Sequence, residues 1–263
     1  MEGIFILRKL SGMQLMKRIP SSLNFLHMRK ILFSLLSFVF ISANAQTADE
    51  IIKKYANAIG GLAAFNAVKT IKMTGTITTQ GMDLPLTVLV INGRAVKNEV
   101  DAMGQLVINS FKDGKGWKIN PFAGAATATD MTNEELIDFK TQTMLASNLM
   151  DYKSRAHKVE LLGQEDVEGV KTIKVKLTNK DDNKVTTYYI NTADNMLVKS
   201  ISTRNLQGQE VEVETLYSNV KEFNGLKLTM TRTQKLDGQV FQEIKINNVE
   251  LNVPIDEKVF DKQ

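Results

Sequence analysis

Cysteine is absent from the 263 residues, which excludes disulfide scaffolds, thiolate metal sites and cysteine nucleophiles. Histidine occurs only at His27 and His157, so no multi-histidine metal centre can be assembled. The motifs of common enzyme classes are missing as well. There is no Gly-x-Ser-x-Gly elbow, no His-Glu-x-x-His, no phosphate-binding Gly-x4-Gly-Lys-Ser/Thr and no complete Gly-x-Gly-x-x-Gly. Prolines number four and tryptophans one, and no Pro-rich or Ser/Gly-rich stretch divides the chain.

A surplus of charge is also lacking once the chain is read in two parts. Of 33 basic and 29 acidic side chains, residues 1–45 hold six basic (Arg8, Lys9, Lys17, Arg18, Arg29, Lys30) and one acidic (Glu2). That leaves 27 against 28 from Gln46 onward, so the pI near 9.0 belongs to the leader and nucleic acid is not an expected partner. Met28-Arg29-Lys30 precedes the apolar run Ile31 to Ile41, then Ser42-Ala43-Asn44-Ala45. Basic start, short apolar run and small residues at the end make a secretory signal peptide with cleavage after Ala45. The run is too short for a membrane-spanning helix, which needs roughly 20 apolar residues, and no other integral membrane span is expected. Residues 28–45 are the expected signal peptide, 1–27 an upstream extension, and 46–263 a single domain.

Two helix starts carry a capping box, in which threonine and glutamate side chains satisfy free backbone amides. Thr47-x-x-Glu50 leads into Ile51, Ile52, Tyr55, Ala56 and Ile59, one apolar stripe ended by Gly60-Gly61. A further short turn is expected over 62–68. Thr132-x-x-Glu135 leads into Leu136, Ile137, Phe139, Met144 and Leu145, whose wide spread predicts a helix buried on more than one side.

Most of the rest alternates with period two: Ile71, Met73 and Ile77; Leu84, Leu86, Val88 and Val90; Ile173, Val175 and Leu177; Leu226, Leu228 and Met230. Asn92-Gly93, Asp113-Gly114, Asn224-Gly225 and Asp237-Gly238 punctuate the runs at hairpin spacing. About ten antiparallel strands and two or three helices are expected, as a curved sheet closing over its own helices.

Individual side chains have mostly plain readings. His157 reads as a surface or half-buried histidine, and Asp181-Asp182-Asn183 as a tight hairpin that lacks the later glutamate of a calcium loop. Along Lys171 to Leu177, Lys174 and Lys176 face away from Ile173, Val175 and Leu177, a solvated outer face; attraction to an anionic lipid surface is the sharper alternative. No cofactor is expected.

The distinctive segment is Asp113-Gly114-Lys115-Gly116-Trp117-Lys118-Ile119-Asn120-Pro121-Phe122, followed by Ala126-Thr127-Ala128-Thr129. Together with the tail from Val249 to Phe260 and the opening helix before Lys72-Met73-Thr74-Gly75, it resembles the outer-membrane lipoprotein carrier LolA and the lipoprotein-sorting proteins related to it. The resemblance implies an incomplete, half-open β-barrel of LolA/LolB type covering its helices. It further implies a periplasmic carrier without a chemical step, holding the acyl chains of lipoproteins or lipids under a helical lid. An inner-membrane donor and an outer-membrane acceptor are its implied partners. One departure is local: the family tends to place Arg-Pro at the end of the second or third strand, where this chain reads Asn92-Gly93-Arg94. Lid latching therefore does not carry over to Arg94.

The candidate cavity lining is Met73, Ile77, Leu86, Val88, Trp117, Phe122, Leu136, Phe139 and Met144, with flexible Met73, Met144 and Met230 suited to irregular acyl chains. The alternative is a cell-envelope interaction module with a packed core and no lipid ligand. Alternation alone does not separate a filled interior from a hollow one.

Overall fold

The computed structural model describes residues 47–206 and 209–263. The expected leader and cleavage site lie outside the described residues, as does Gln207-Gly208, a further turn signal in the sequence.

Both capping boxes form. Thr47 accepts from the Glu50 amide at 3.2 Å and starts α1 (Ala48–Ala58); Thr132 accepts from the Glu135 amide at 3.3 Å and starts α3 (Asn133–Gln142). Between them in sequence, α2 (Leu62–Ala67) follows the Gly60-Gly61 break. Gly60 has φ +119°, and a Cβ there would stand 2.5 Å from the carbonyl oxygen of Gly225, so only glycine lets α1 end so close to a hairpin turn.

Among the described residues thirteen strands make one antiparallel sheet, where about ten are expected. β1 (Thr70–Thr79), β2 (Met82–Ile91), β3 (Ala95–Ala102), β4 (Gln105–Lys112), β5 (Lys115–Asn120) and β6 (Ala125–Asp130) form one meander. β7 (Lys158–Val167), β8 (Val170–Thr178), β9 (Val185–Asn191), β10 (Leu197–Leu206), β11 (Gln209–Phe223), β12 (Leu226–Leu236) and β13 (Gln239–Leu251) form the other. Pairing of β1 with β13 joins them, which leaves β6 and β7 as the two free edges. Alternation is weak in the two edge strands: β6 is Ala/Thr-rich, and β7 is exposed along nearly all its length. The sheet curls without closing, so the expected half-open barrel is the architecture observed.

A bulge between Thr74 and Gly75 helps the curl, because it increases the local twist. A Cβ on Gly75 would meet the Lys245 carbonyl oxygen at 2.0 Å, so β13 approaches the β1 backbone there more closely than any side chain permits.

Topology sets where α3 must lie. The chain leaves one free edge at β6 and re-enters the sheet at the other, β7, so α3 and residues 143–157 bridge the open side. On the concave face, Ile51, Ile52, Tyr55 and Ile59 of α1 pack with Leu149 and Met150 against Ile173, Val175, Leu177 and Ile190. Leu136 and Phe139 of α3 rest against a second cluster containing Ile71, Val90, Val96, Phe111 and Met230.

The expectation that α3 is buried on more than one side is corrected: none of its residues is buried. One flank lies on the cluster and the other faces water, because the helix crosses an opening and has no layer above it.

Candidate functional site

A cavity of about 520 Å³ lies between the two wings, inside the curl of β1, β2, β3, β12 and β13. Its wall is the concave period-two set of each strand. Cross-strand pairing places Met73 beside Val88, Ile77 beside Leu84 and Ile244, and Leu86 beside Val100 on one face. Phe65 of α2 closes one side. Gln142, Met144, Leu145 and Ser147, which run on from α3, form the roof.

Five of the nine candidates border this space: Met73, Ile77, Leu86, Val88 and Met144; so does Met230. Leu136 and Phe139 do not reach it and pack beside it on the second cluster. Trp117 stands apart from the cavity. It pairs with Ser110, while the neighbouring Phe111 points to the concave side, so Trp117 belongs to the outer face. There it is 4% exposed, and its Nε1–H donates to the Phe260 carbonyl at 2.8 Å, beside the Ser110 hydroxyl bonded to the same oxygen at 2.9 Å. Phe122, in the 3₁₀ turn Pro121–Ala123, is 57% exposed and does not border the cavity either. Strand parity explains the position of Trp117, and the 3₁₀ turn after β5 that of Phe122, since the motif fixes a turn and says nothing about which face follows it.

The roof is fastened unevenly. At its C-terminal side the Gly93 amide donates to the Thr143 carbonyl at 2.9 Å. The Leu145 amide donates to Asn92 Oδ1 at 3.1 Å, while the Asn92 amide group donates to the carbonyls of Phe65 and Val68. Asn92 thus ties α2, the β2–β3 turn and the roof together, a role that its appearance as a hairpin residue does not reveal.

The N-terminal side of α3 is held by charges. Glu135 pairs with Lys118, and Lys184, from the far wing, reaches Glu134 at 3.2 Å and Asp138 at 3.4 Å. Burial pulls the Glu135 carboxyl up, but Lys118 and the Thr132 amide outweigh it and hold it below its usual range. Burial likewise disfavours the Lys184 ammonium, yet its two acidic partners raise it above the ordinary value.

Arg94 follows directly on Asn92 and Gly93, but its side chain is spent elsewhere. It forms paired hydrogen bonds with Asp113 (3.2 and 2.9 Å) and Glu257 (3.0 and 3.2 Å), binding two hairpin turns to the C-terminal segment. These partners raise its pKa, and neither lies on α3. His157 accepts from the Lys180 amide at 3.2 Å, and burial lowers its pKa. Lys174 and Lys176 are paired with Glu165 and Glu160 of β7, which locally neutralises that outer face. Among the described residues no group of three or more His, Asp or Glu side chains is placed to hold a metal, and no helix is long and apolar enough to cross a membrane.

The concave face changes character along β12. Leu226, Leu228 and Met230 are followed at the next inward position by Arg232, which borders the cavity. Its signal in the sequence is a charge that continues an apolar face beyond Met230.

Solved structures share this arrangement. A LolA superfamily protein from Nitrosomonas europaea superimposes with a TM-score of 0.55 at 14% identity, over 83% of this chain and 99% of that one. This chain has a LolA-like fold. A protein domain from Vibrio parahaemolyticus described as outer membrane lipoprotein-sorting matches with a TM-score of 0.56 at 11% identity, over 81% and 97% of the two chains. A DUF1329 family protein from Desulfovibrio piger gives 0.55 at 10%, over 82% and 98%. No protein-family model and no curated protein matches the sequence.

Proposed function

We propose that this chain is exported to the periplasm and carries the acyl chains of lipoproteins or lipids in the cavity beneath α3, without a chemical step. One observation carries the reading: about 520 Å³ of space walled by valine, isoleucine, leucine and methionine is left unfilled in a chain that packs its other cluster densely. Protein interiors ordinarily hold few voids larger than a water molecule, and an apolar hollow costs stability in proportion to its size. The volume falls within the roughly 300–1,000 Å³ typical of ligand sites. An acyl chain entering it would gain about 0.8 kcal/mol per methylene removed from water. Met73, Met144 and Met230 give the wall flexible side chains that adjust to such a guest. The roof hinges at Thr143–Leu145, where backbone bonds are firm, and lifts at the N-terminal side of α3, where ion pairs and the half-buried Leu136 and Phe139 hold it. Donor and acceptor proteins at the two membranes belong to the same reading.

Organic extraction of the purified mature protein followed by mass spectrometry tests it. Carriage predicts phospholipid or acyl peptide near one per chain. Blank extracts, together with no uptake of a fluorescent fatty acid, would favour the alternative of an envelope interaction module. The exposed edge strand β7, with Leu161 and Leu162 on its surface, is the feature that supports this second reading.

A further inference from the structure

Arg204 on β10 and Arg232 on β12 both project on the concave side. Arg232 borders the cavity beyond Met230. Arg204 reaches across β11: with the Gln234 amide oriented to satisfy its neighbours, Gln234 Oε1 accepts from both Arg204 Nη atoms at 3.3 Å and its nitrogen donates to Gln242 at 2.8 Å. Arg232 and Gln234 are two residues apart on one strand face, about 7 Å along β12. Two guanidinium groups therefore stand on one patch at the polar end of an apolar hollow.

Asp138, the acid that acts on Arg204, is engaged elsewhere and pairs with Lys184 at 3.4 Å. Both arginines are exposed, and Arg232 borders the cavity. Burial pushes the Arg204 pKa down and the like charge of Arg232 adds to this, against the pull of Tyr217 and Asp138. Two like charges whose acidic neighbour Asp138 is shared with Lys184 are stabilised by an anion, and guanidinium groups offer the paired donors that carboxylate and phosphate oxygens accept.

We propose that the cavity selects amphiphiles with an anionic head, the acyl chain lying among Met73, Val88 and Met230 and the head held between Arg204 and Arg232. The proposal rests on the cavity being a lipid site and adds the charge of the ligand. A fatty carboxylate and a phosphate-bearing lipid share this chemistry.

The probe pair that tests it is cis-parinaric acid and its methyl ester, which differ only in charge at the head. The acid is expected to bind roughly tenfold or more tightly than the ester, as a charge-assisted bidentate contact implies. In Arg204→Gln/Arg232→Gln the two affinities should converge to within about twofold, through weaker binding of the acid. Displacement of the acid by lysophosphatidylglycerol but not by lysophosphatidylcholine assigns a phosphate head; displacement only by fatty acids assigns a carboxylate. Equal affinity of acid and ester in the unaltered protein overturns the proposal and leaves carriage standing. Binding of neither probe overturns carriage and the proposal together. Circular dichroism of the double variant separates lost selectivity from lost fold.

Discussion

α1 and α3 begin with the same device and end in opposite circumstances. Each opens with a threonine–glutamate capping box and acidic residues in its first turn, which suit the positive end of the helix dipole. α1 then buries Ile51, Ile52, Tyr55 and Ala56 against β8 and β9, while no residue of α3 is fully buried: Leu136 and Phe139 rest half-buried on the second cluster, and Lys118, Lys184 and a polar contact between Asn98 and Gln142 add to the hold. Local sequence makes both helices; tertiary packing makes one a plug and the other a cover. Segments that must open are drawn from the weakly packed part of a fold, because few apolar contacts have to be broken.

Perturbing the plug should therefore cost most. Leu149→Ala removes a side chain that is 0% exposed in the α1 cluster and is expected to destabilise by about 2–5 kcal/mol in chemical denaturation. A loss below about 1 kcal/mol would show that the cluster is looser than its burial implies.

A second effect on the same side depends on pH. Burial pushes the Tyr55 hydroxyl up from 10.0 to about 12, with Ser147 pulling the other way. The unfolded chain then loses this proton near pH 10 while the folded chain keeps it, so stability falls as pH rises from 10 towards 12. The slope is about 1.4 kcal/mol per pH unit for each such tyrosine. Tyr188, raised by burial as well, adds to the fall. Tyr55→Phe should flatten the alkaline limb in denaturation curves taken between pH 9 and 11, and an unchanged limb would remove Tyr55 from the account.

The cover should respond in the opposite sense, little in stability and much in uptake. Phe139→Glu puts a charge on the flank of α3 that faces the second cluster. Because Phe139 is only half-buried, the cost is expected to stay near 1–2 kcal/mol while uptake of a fluorescent fatty acid drops at least roughly tenfold. Unchanged uptake would detach α3 from the site. Smallest of all is Lys184→Met, which frees Glu134 and Asp138. Exposed ion pairs contribute about 0–1 kcal/mol, so the melting temperature should hardly move and probe entry, followed by stopped flow, should quicken modestly. A large loss of stability would mean that Lys184 anchors the fold and not the cover.

How far the sequence reaches depends on which property is asked of it. Thr47 with Glu50, and Thr132 with Glu135, locate both helix starts because capping is a contact within four residues. The alternation in Leu84–Val90 and Leu226–Met230 identifies a concave face because side-chain direction in a strand is local too. Burial of α3 was misread because it depends on what lies above the helix, and only the route from β6 to β7 reveals that nothing does. Trp117 was placed at the cavity although the register of β4 with β5 turns it outward, onto Phe260. The hollow was not legible at all, since apolar faces specify what may touch and not how far apart the curl of the sheet holds them. Arg232 was readable in principle as the residue at which an inward apolar series becomes charged.

The absence of cysteine makes the central claim directly testable. In Asp138→Cys/Lys184→Cys the two thiols replace the partners of an ion pair 3.4 Å apart, and a short thiol-specific disulfide-forming crosslinker would tie α3 to the far wing. Uptake of cis-parinaric acid is then measured before crosslinking, after it, and after reduction. The account predicts uptake near one per chain, its loss on locking, and recovery when the link is cut. Equal uptake by the locked and the reduced protein would contradict it, because a guest would then be entering by a route that does not require α3 to move.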